Sequence, residues 1–95
     1  MEFLTHIWVN LPADMTDEGR AAIMAEERER SAVLAKAGIQ RRVWRDPGRR
    51  AVWVLWETPD ATALHDAVST LALFPYMQFE VYPLAAHPND PPDQA

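Results

Sequence analysis

The amino-acid sequence predicts a single-domain α+β fold with four strands and two helices in the order β-α-β-β-α-β. Apolar and polar residues alternate in residues 3–10 and again in residues 77–84, which is typical of strands. Two runs rich in β-branched and aromatic residues, 40–45 and 50–57, flank the turn Asp46-Pro47-Gly48-Arg49 and predict a hairpin. Helical patterns fill the two long intervals that remain.

Both helices have recognisable beginnings and ends in the sequence. Thr16 is a predicted N-cap for a helix that runs to about residue 37, and Gly38 supplies the left-handed position that commonly follows a helix. The sequence Thr58-Pro59-Asp60 predicts the start of a second helix with its proline at the first helical position. That helix should carry Leu64, Val68 and Leu71 on one stripe, and Pro75 should bar its continuation.

This element order is the split-βαβ, or ferredoxin-like, arrangement, in which two helices cover one face of an antiparallel sheet. From the alternation in each strand, we expect the other face to be open. Its predicted residues are Leu4, His6, Trp8, Val52, Val54, Trp56 and Tyr82. Such a face is too apolar to remain in water, so a second subunit or a ligand should cover it. We therefore predict a homo-oligomer.

Composition excludes several classes of function. The chain has no cysteine, which rules out disulfides, thiolate zinc sites and a cysteine nucleophile and fits a cytoplasmic protein. No stretch is long and apolar enough to span a bilayer. The net charge of −5 disfavours nucleic acid. The three histidines, His6, His65 and His87, have no metal-ligand spacing, so neither a metal nor another cofactor is predicted.

The first helix carries the sharpest candidate for chemistry. Ile23 and Met24 lie four and three residues before Glu27, and Ser31 and Leu34 continue at spacings of four and three, so Glu27 interrupts an inward stripe. Partial desolvation favours the protonated form of a carboxylate and suits it to exchange a proton near neutral pH. The alternative is that Glu27 only pairs with a neighbouring arginine at the edge of the stripe.

The hairpin holds five of the nine basic residues, namely Arg41, Arg42, Arg45, Arg49 and Arg50. They fit three interpretations: a single-stranded nucleic-acid surface, protection of an exposed sheet edge, or a grip on a substrate carboxylate by Arg50 or Arg42. The negative net charge weakens the first interpretation. His6 also has two possible interpretations, since it can assist proton transfer or serve as a hydrogen-bonded structural residue.

Several segments resemble muconolactone Δ-isomerases over about residues 1–88. They are LPADM at 11–15, AEERER at 25–30, the stretch from Gly38 to Arg45, ALHDA at 63–67, LFPYM at 73–77, FEV at 79–81 and HP at 87–88. The resemblance implies a dimeric α/β barrel, a ring of such dimers, and a cofactor-free isomerase of aromatic-acid catabolism that shifts the double bond of an unsaturated lactone. It also implies that Glu27 is the acid/base. Residues 1–88 are the predicted domain, and residues 89–95 are a polar, proline-rich tail.

The same resemblance implies a pocket whose residues differ from the family pattern. Met24 stands where a lysine is usual, Gln40 where a tryptophan is usual, and His6 where a first-strand lysine is usual. Arg50 and Val52 replace a tyrosine and an asparagine. The predicted substrate-binding residues are Arg50, Arg42, His6, Trp8, Met24, Gln40, Val52 and Trp56. The substrate is predicted to be a small carboxylate-bearing lactone. The alternative is a diverged barrel, either cyclase-like or ligand-binding, for a more hydrophobic molecule.

Overall fold

The structure is a computed structural model in which residues 1–92 are described. It contains the predicted elements in the predicted order, with one additional 3₁₀ turn before the last strand. The elements are β1 (Glu2–Val9), α1 (Asp17–Lys36), β2 (Gln40–Arg45), β3 (Ala51–Glu57), α2 (Ala61–Val68), the 3₁₀ turn (Phe74–Tyr76) and β4 (Met77–Leu84). The α+β, ferredoxin-like prediction is therefore confirmed.

The four strands form one antiparallel sheet in the order β2-β3-β1-β4. β1 lies in the interior of the sheet, where it pairs with both β3 and β4 along its length. The register shifts between Gln40 and Arg42, so a bulge at Arg41 interrupts the edge strand β2. The strand order makes β2 and β4 the two edges of the sheet.

The helix termini follow local rules. Thr16 caps α1 by accepting a hydrogen bond from the backbone N–H of Gly19 at 3.0 Å. Gly38 has a φ of 78°, the left-handed conformation expected after the helix. The predicted start of the second helix needs a correction. Asp60 is its N-cap and accepts from the N–H of Ala63 at 2.8 Å, so the preceding proline lies outside α2.

The predicted faces of β3 are wrong by one residue. Phe3, Thr5 and Ile7 of β1 pair with Trp56, Val54 and Val52, so all six side chains lie on the face that the helices cover. Val54 and Trp56 belong to the buried core, and Val52 packs against it. The open face instead carries Leu4, His6, Trp8, Trp44, Ala51, Trp53, Leu55 and Tyr82. The segment AVWVLWE is apolar on both faces, so its alternation could not decide which one is inside.

The core lies between the helices and the sheet. Phe3, Ile7, Val54 and Trp56 meet Leu34 of α1 and three side chains of α2. Trp56, which is only 1% exposed, donates its indole N–H to the hydroxyl of the fully buried Thr5 at 2.9 Å. That bond satisfies both polar groups inside an apolar layer.

Residues 85–92 contain neither helix nor strand, and they are exposed. The division of the chain at residue 88 stays a prediction, and residues 93–95 of the predicted tail lie outside the described residues. Among residues 1–92, no helix has both the length and the apolar character needed to cross a membrane.

Candidate active site

A cavity of about 420 Å³ lies along the flank of α1, between that helix and the start of β2. Its lining is mostly apolar and includes Met24, Ala32 and Ala35. The polar or charged lining residues are Glu27, Arg28, Ser31 and Gln40. Three residues that the sequence predicted for the site, Met24, Glu27 and Gln40, therefore line the same cavity.

Glu27 is half-buried on α1, at the border between the core and this cavity. Its carboxylate accepts a hydrogen bond from the backbone N–H of Leu73 at 3.1 Å, in the buried segment that follows α2. No lysine or arginine nitrogen of residues 1–92 lies within 4.0 Å of this carboxylate. The alternative interpretation, in which Glu27 only pairs with a neighbouring arginine, is therefore wrong. The carboxylate thus has one fixed contact and borders an open space.

Ser31 and Gln40 supply hydrogen-bonding groups in the same cavity. The Gln40 amide nitrogen lies 2.8 Å from the Ser31 hydroxyl oxygen, and this pair joins α1 to the first residue of β2. Both side chains are partly buried. The cavity therefore contains one carboxylate, one guanidinium, one hydroxyl and one amide within a mostly apolar wall, a combination that can bind a small polar molecule and move a proton on it.

A second cavity, of about 540 Å³, lies at the hairpin end of the sheet. Ile7, Val9 and Val52 line it with apolar surface, and Arg45 and Arg50 lie among its other lining residues. Val52 and Arg45 are paired across β3 and β2, and Ile7 is paired with Val52, so this cavity lies on the helix-covered side. Arg50 is two residues before Val52, and both residues line this cavity on the helix-covered side.

The remaining predicted binding residues are not brought together with Glu27. Arg42, His6 and Trp8 lie on the open face of the sheet, because they pair with Leu55, Trp53 and Ala51. The Arg42 guanidinium lies 5.0 Å from the ring centre of Trp44, a cation–π distance. Trp56 is enclosed in the core. The predicted set therefore divides between the two faces of the sheet.

His6 is held in a network on the open face. Its Nε2 lies 2.9 Å from an Asp46 carboxylate oxygen, and its ring stacks on Trp53 at 3.9 Å with an interplanar angle of 3°. Trp8 packs on it at 4.0 Å. Nearby, Tyr82 donates to the Glu80 carboxylate at 2.9 Å, and this bond is the main reason that the pKa of Tyr82 is raised above its ordinary value of 10.0. These contacts favour the structural interpretation of His6.

Ser31 and Arg45 are among the lining residues that were not predicted from the sequence as site residues. Ser31 was visible on the helical stripe, and its position one turn after Glu27 was the available signal. Arg45 could not be assigned to a face, because that assignment depends on the strand register and on the bulge at Arg41. Across residues 1–92, no three histidine, aspartate or glutamate side chains are grouped closely enough to hold a metal ion.

Comparison with known proteins gives a consistent result over nearly the whole chain. A family model described as muconolactone delta-isomerase matches residues 1–90. The muconolactone delta-isomerase of Pseudomonas aeruginosa is 38% identical over 89 residues, covering 94% of this chain and 93% of that protein. Muconolactone delta-isomerase 2 of Acinetobacter lwoffii is 39% identical over 87 residues, covering 92% and 91%. A crystal structure of muconolactone isomerase matches with a TM-score of 0.89 at 35% identity, covering 99% of this chain and 98% of that one.

Proposed function

This chain belongs to the muconolactone delta-isomerase family, and from that membership we propose that it shifts the double bond of muconolactone or a closely related unsaturated lactone acid. It is an isomerase by its relatives, and Glu27 is the proposed acid/base. The observation that carries the proposal is the half-buried Glu27 at the wall of a mostly apolar cavity between α1 and β2.

The proposed reaction needs only a proton carrier and stabilisation of charge. The Glu27 carboxylate takes a proton from a ring carbon, and the electron pair spreads into the conjugated lactone carbonyl as a dienolate. The proton then returns at another carbon, so the double bond moves without net oxidation or reduction. Hydrogen-bond donors must hold the dienolate oxygen, and the Ser31 hydroxyl, the Gln40 amide and the Arg28 guanidinium are donors that line this cavity.

Of the two arginines predicted to bind the substrate carboxylate, Arg50 is the better supported. Arg50 lines the cavity at the hairpin end on the helix-covered side. Arg42 lies on the other face, over the ring of Trp44. We therefore propose Arg50 as a carboxylate anchor and regard Arg42 as part of the open face.

The apolar character of the cavity favours a second candidate function. Met24 lines the cavity, and its side chain cannot stabilise developing negative charge as a cation would. A protein that binds or cyclises a more hydrophobic molecule would use such a wall. In that case, Glu27 would still border the ligand, but muconolactone would not be turned over.

We also propose that the chain works as a cytoplasmic homodimer, assembled through the open face of the sheet, and as a larger ring of such dimers. Trp8, Trp53 and Leu55 lie on this face, and each of them is partly exposed. A contiguous aromatic and aliphatic face of this kind is typical of a protein interface. His6 packs against Trp8 and stacks on Trp53, so these three side chains already contact one another within a single subunit.

A panel of lactones tests the proposed reaction. The purified protein is incubated with muconolactone, with its methyl ester and with larger apolar lactones, and the position of the double bond is followed by proton NMR. We expect conversion of muconolactone in preference to the apolar lactones. Conversion of only the apolar lactones, or tight binding of them without conversion, would favour the second candidate function.

A further inference from the structure

We infer that Arg45 and Arg50 together form a subsite that binds the carboxylate of the substrate. This subsite selects small monocarboxylate lactones with an apolar body. The inference rests on the proposed function and adds to it a residue, Arg45, and a location, the cavity at the hairpin end of the sheet. Ile7, Val9 and Val52 provide the apolar floor of that cavity, and Arg45 and Arg50 are two of the three arginines that line it.

The strand register brings the two arginines to one cavity although they belong to different parts of the hairpin. Arg45 is the last residue of β2 and pairs with Val52 of β3, while Arg50 immediately precedes β3. Val52 in turn pairs with Ile7 of β1, which is buried in the core. Arg45 therefore lies on the helix-covered side of the sheet and lines the cavity beside that apolar floor.

The charges around the hairpin leave these two guanidinium groups without a carboxylate. Asp46 is engaged by His6 at 2.9 Å and by Arg49 at 3.9 Å. Within residues 1–92, neither Arg45 nor Arg50 has an acidic oxygen within 4.0 Å. Arg49 and Asp46 line the same cavity, so its lining holds three cations and one carboxylate and still favours an anion. A ligand carboxylate can accept hydrogen bonds from both Arg45 and Arg50 through its two oxygens.

Arg45 and Arg50 are exposed, and the apolar floor beside them is what distinguishes this subsite from an ordinary pair of surface arginines. An ion pair beside apolar surface is weakened less by water than one in free solvent. The same floor gives the carbon skeleton of the ligand a surface to pack on. A small acid with an apolar ring satisfies both requirements, whereas inorganic anions satisfy only the first.

The cavity at the hairpin end and the cavity beside Glu27 share no lining residue, but their positions along the chain can be compared. Ser31 of α1 is hydrogen-bonded to Gln40 at the start of β2, so these two residues lie side by side and serve as a common reference point for the helix and the strand. Arg45 is five residues further along β2, about 17 Å away, while Glu27 is four residues back along α1, about 6 Å in the same direction. A difference of about 10 Å along the direction of the strand remains.

Binding measurements on matched variants test the subsite. Arg45→Met, Arg50→Met and the double variant are compared with Arg41→Met, which removes the same charge from the same strand outside the cavity. Dissociation constants for muconolactone and for its methyl ester are measured by titration calorimetry. For Arg45→Met we expect about tenfold to a hundredfold weaker binding of the acid, the effect of losing a charged hydrogen bond, and little change for the ester.

Turnover gives the second readout. Arg45→Met should raise KM for muconolactone while leaving kcat within about threefold, because the carboxylate is held equally in the ground and transition states. Arg45→Lys should recover part of the affinity, since it keeps the charge but not the planar fork. An Arg45→Met variant that binds muconolactone as tightly as Arg41→Met would overturn the inference, as would a wild-type protein that does not bind muconolactone.

The two proposals fail in different ways. If Glu27→Gln abolishes turnover but Arg45→Met leaves affinity unchanged, the proposed reaction stands and the subsite is wrong. If the wild-type protein binds muconolactone through Arg45 without converting it, the subsite stands and the proposed reaction is wrong.

Discussion

Glu27 combines a structural contact with a chemical position. Its carboxylate accepts the N–H of Leu73, so it fixes α1 against the segment after α2, and it also borders the cavity with Ser31 and Gln40. A side chain that only held the fold would need its hydrogen-bond acceptor but not its ability to carry a proton. The two roles can therefore be separated by substitution.

Glu27→Gln should lower turnover by about 10²-fold or more, because the amide cannot take and return a proton. The amide oxygen can still accept from Leu73, so the free energy of unfolding should stay within about 1 kcal/mol of wild type. Glu27→Ala should lose both the activity and the contact. Steady-state kinetics and urea unfolding of the three proteins provide the measurement. Full activity in Glu27→Gln would show that the residue is only structural.

Arg50→Met should weaken the binding of acidic lactones by about 1.5–3 kcal/mol, the usual range for a hydrogen bond to a charged group. Neutral lactones should bind nearly as they do to wild type. A solvated hairpin arginine without a role would change neither affinity by more than about 0.5 kcal/mol. Equal affinities of the two proteins for muconolactone would mean that Arg50 is not an anchor.

At the scale of single residues, the sequence located the acid/base candidate but not its whole surroundings. Glu27, Met24 and Ser31 share one helix face, and the period of 3.6 residues is enough to place them together. Gln40 was found through the resemblance to known isomerases. Arg45 was missed because the sequence QRRVWR does not show which face of β2 the helices cover.

At the scale of elements, β1, α1 and β4 were predictable and the faces of β3 were not. Polar residues mark one face of β4, and Thr16 and Gly38 mark the ends of α1. In β3, Val52, Val54 and Trp56 alternate with Trp53 and Leu55, so both faces are apolar. The choice between them is made by packing against Leu34 of α1 and by pairing with β1, and both are long-range effects.

The corrected faces of β3 predict that substitutions of its two tryptophans have different effects, because Trp56 lies in the core and Trp53 lies on the open face. Trp56→Phe should lower the free energy of unfolding by about 1–3 kcal/mol, because it removes the indole N–H bond to buried Thr5 and leaves unfilled space in the core. Trp53→Phe lies on the open face and should affect association more than subunit folding. Urea unfolding at several protein concentrations distinguishes the two effects. A larger loss of subunit stability for Trp53→Phe would contradict the register.

At the scale of the whole molecule, the open face of the sheet is the main reason to expect a homodimer. Leu4, Trp8, Trp53 and Leu55 form an apolar surface that a ferredoxin-like subunit of this size does not cover by itself. The face was predicted from the sequence, and the error in the faces of β3 exchanged its residues without removing its apolar character. Its covering by a second copy stays a prediction.

Sedimentation should find the protein at least dimeric at micromolar concentration. Leu55→Lys, on the open face, should shift it toward monomer, because a buried unpaired charge at an interface costs several kcal/mol. Val33→Lys is the matched control, since Val33 is exposed on the outer side of α1. Wild-type protein that sediments as a stable monomer would rule out the dimeric barrel.

The conversion of muconolactone itself tests the central claim, that this family member is a working proton-shift isomerase based on Glu27. Wild-type protein and Glu27→Gln are incubated with muconolactone at equal concentrations, and the loss of the substrate's vinyl signals is followed by proton NMR. We predict that wild type converts the substrate far faster than buffer does and that Glu27→Gln is slower than wild type by about 10²-fold or more. Equal rates for the two proteins, or no conversion by wild type, would contradict the account.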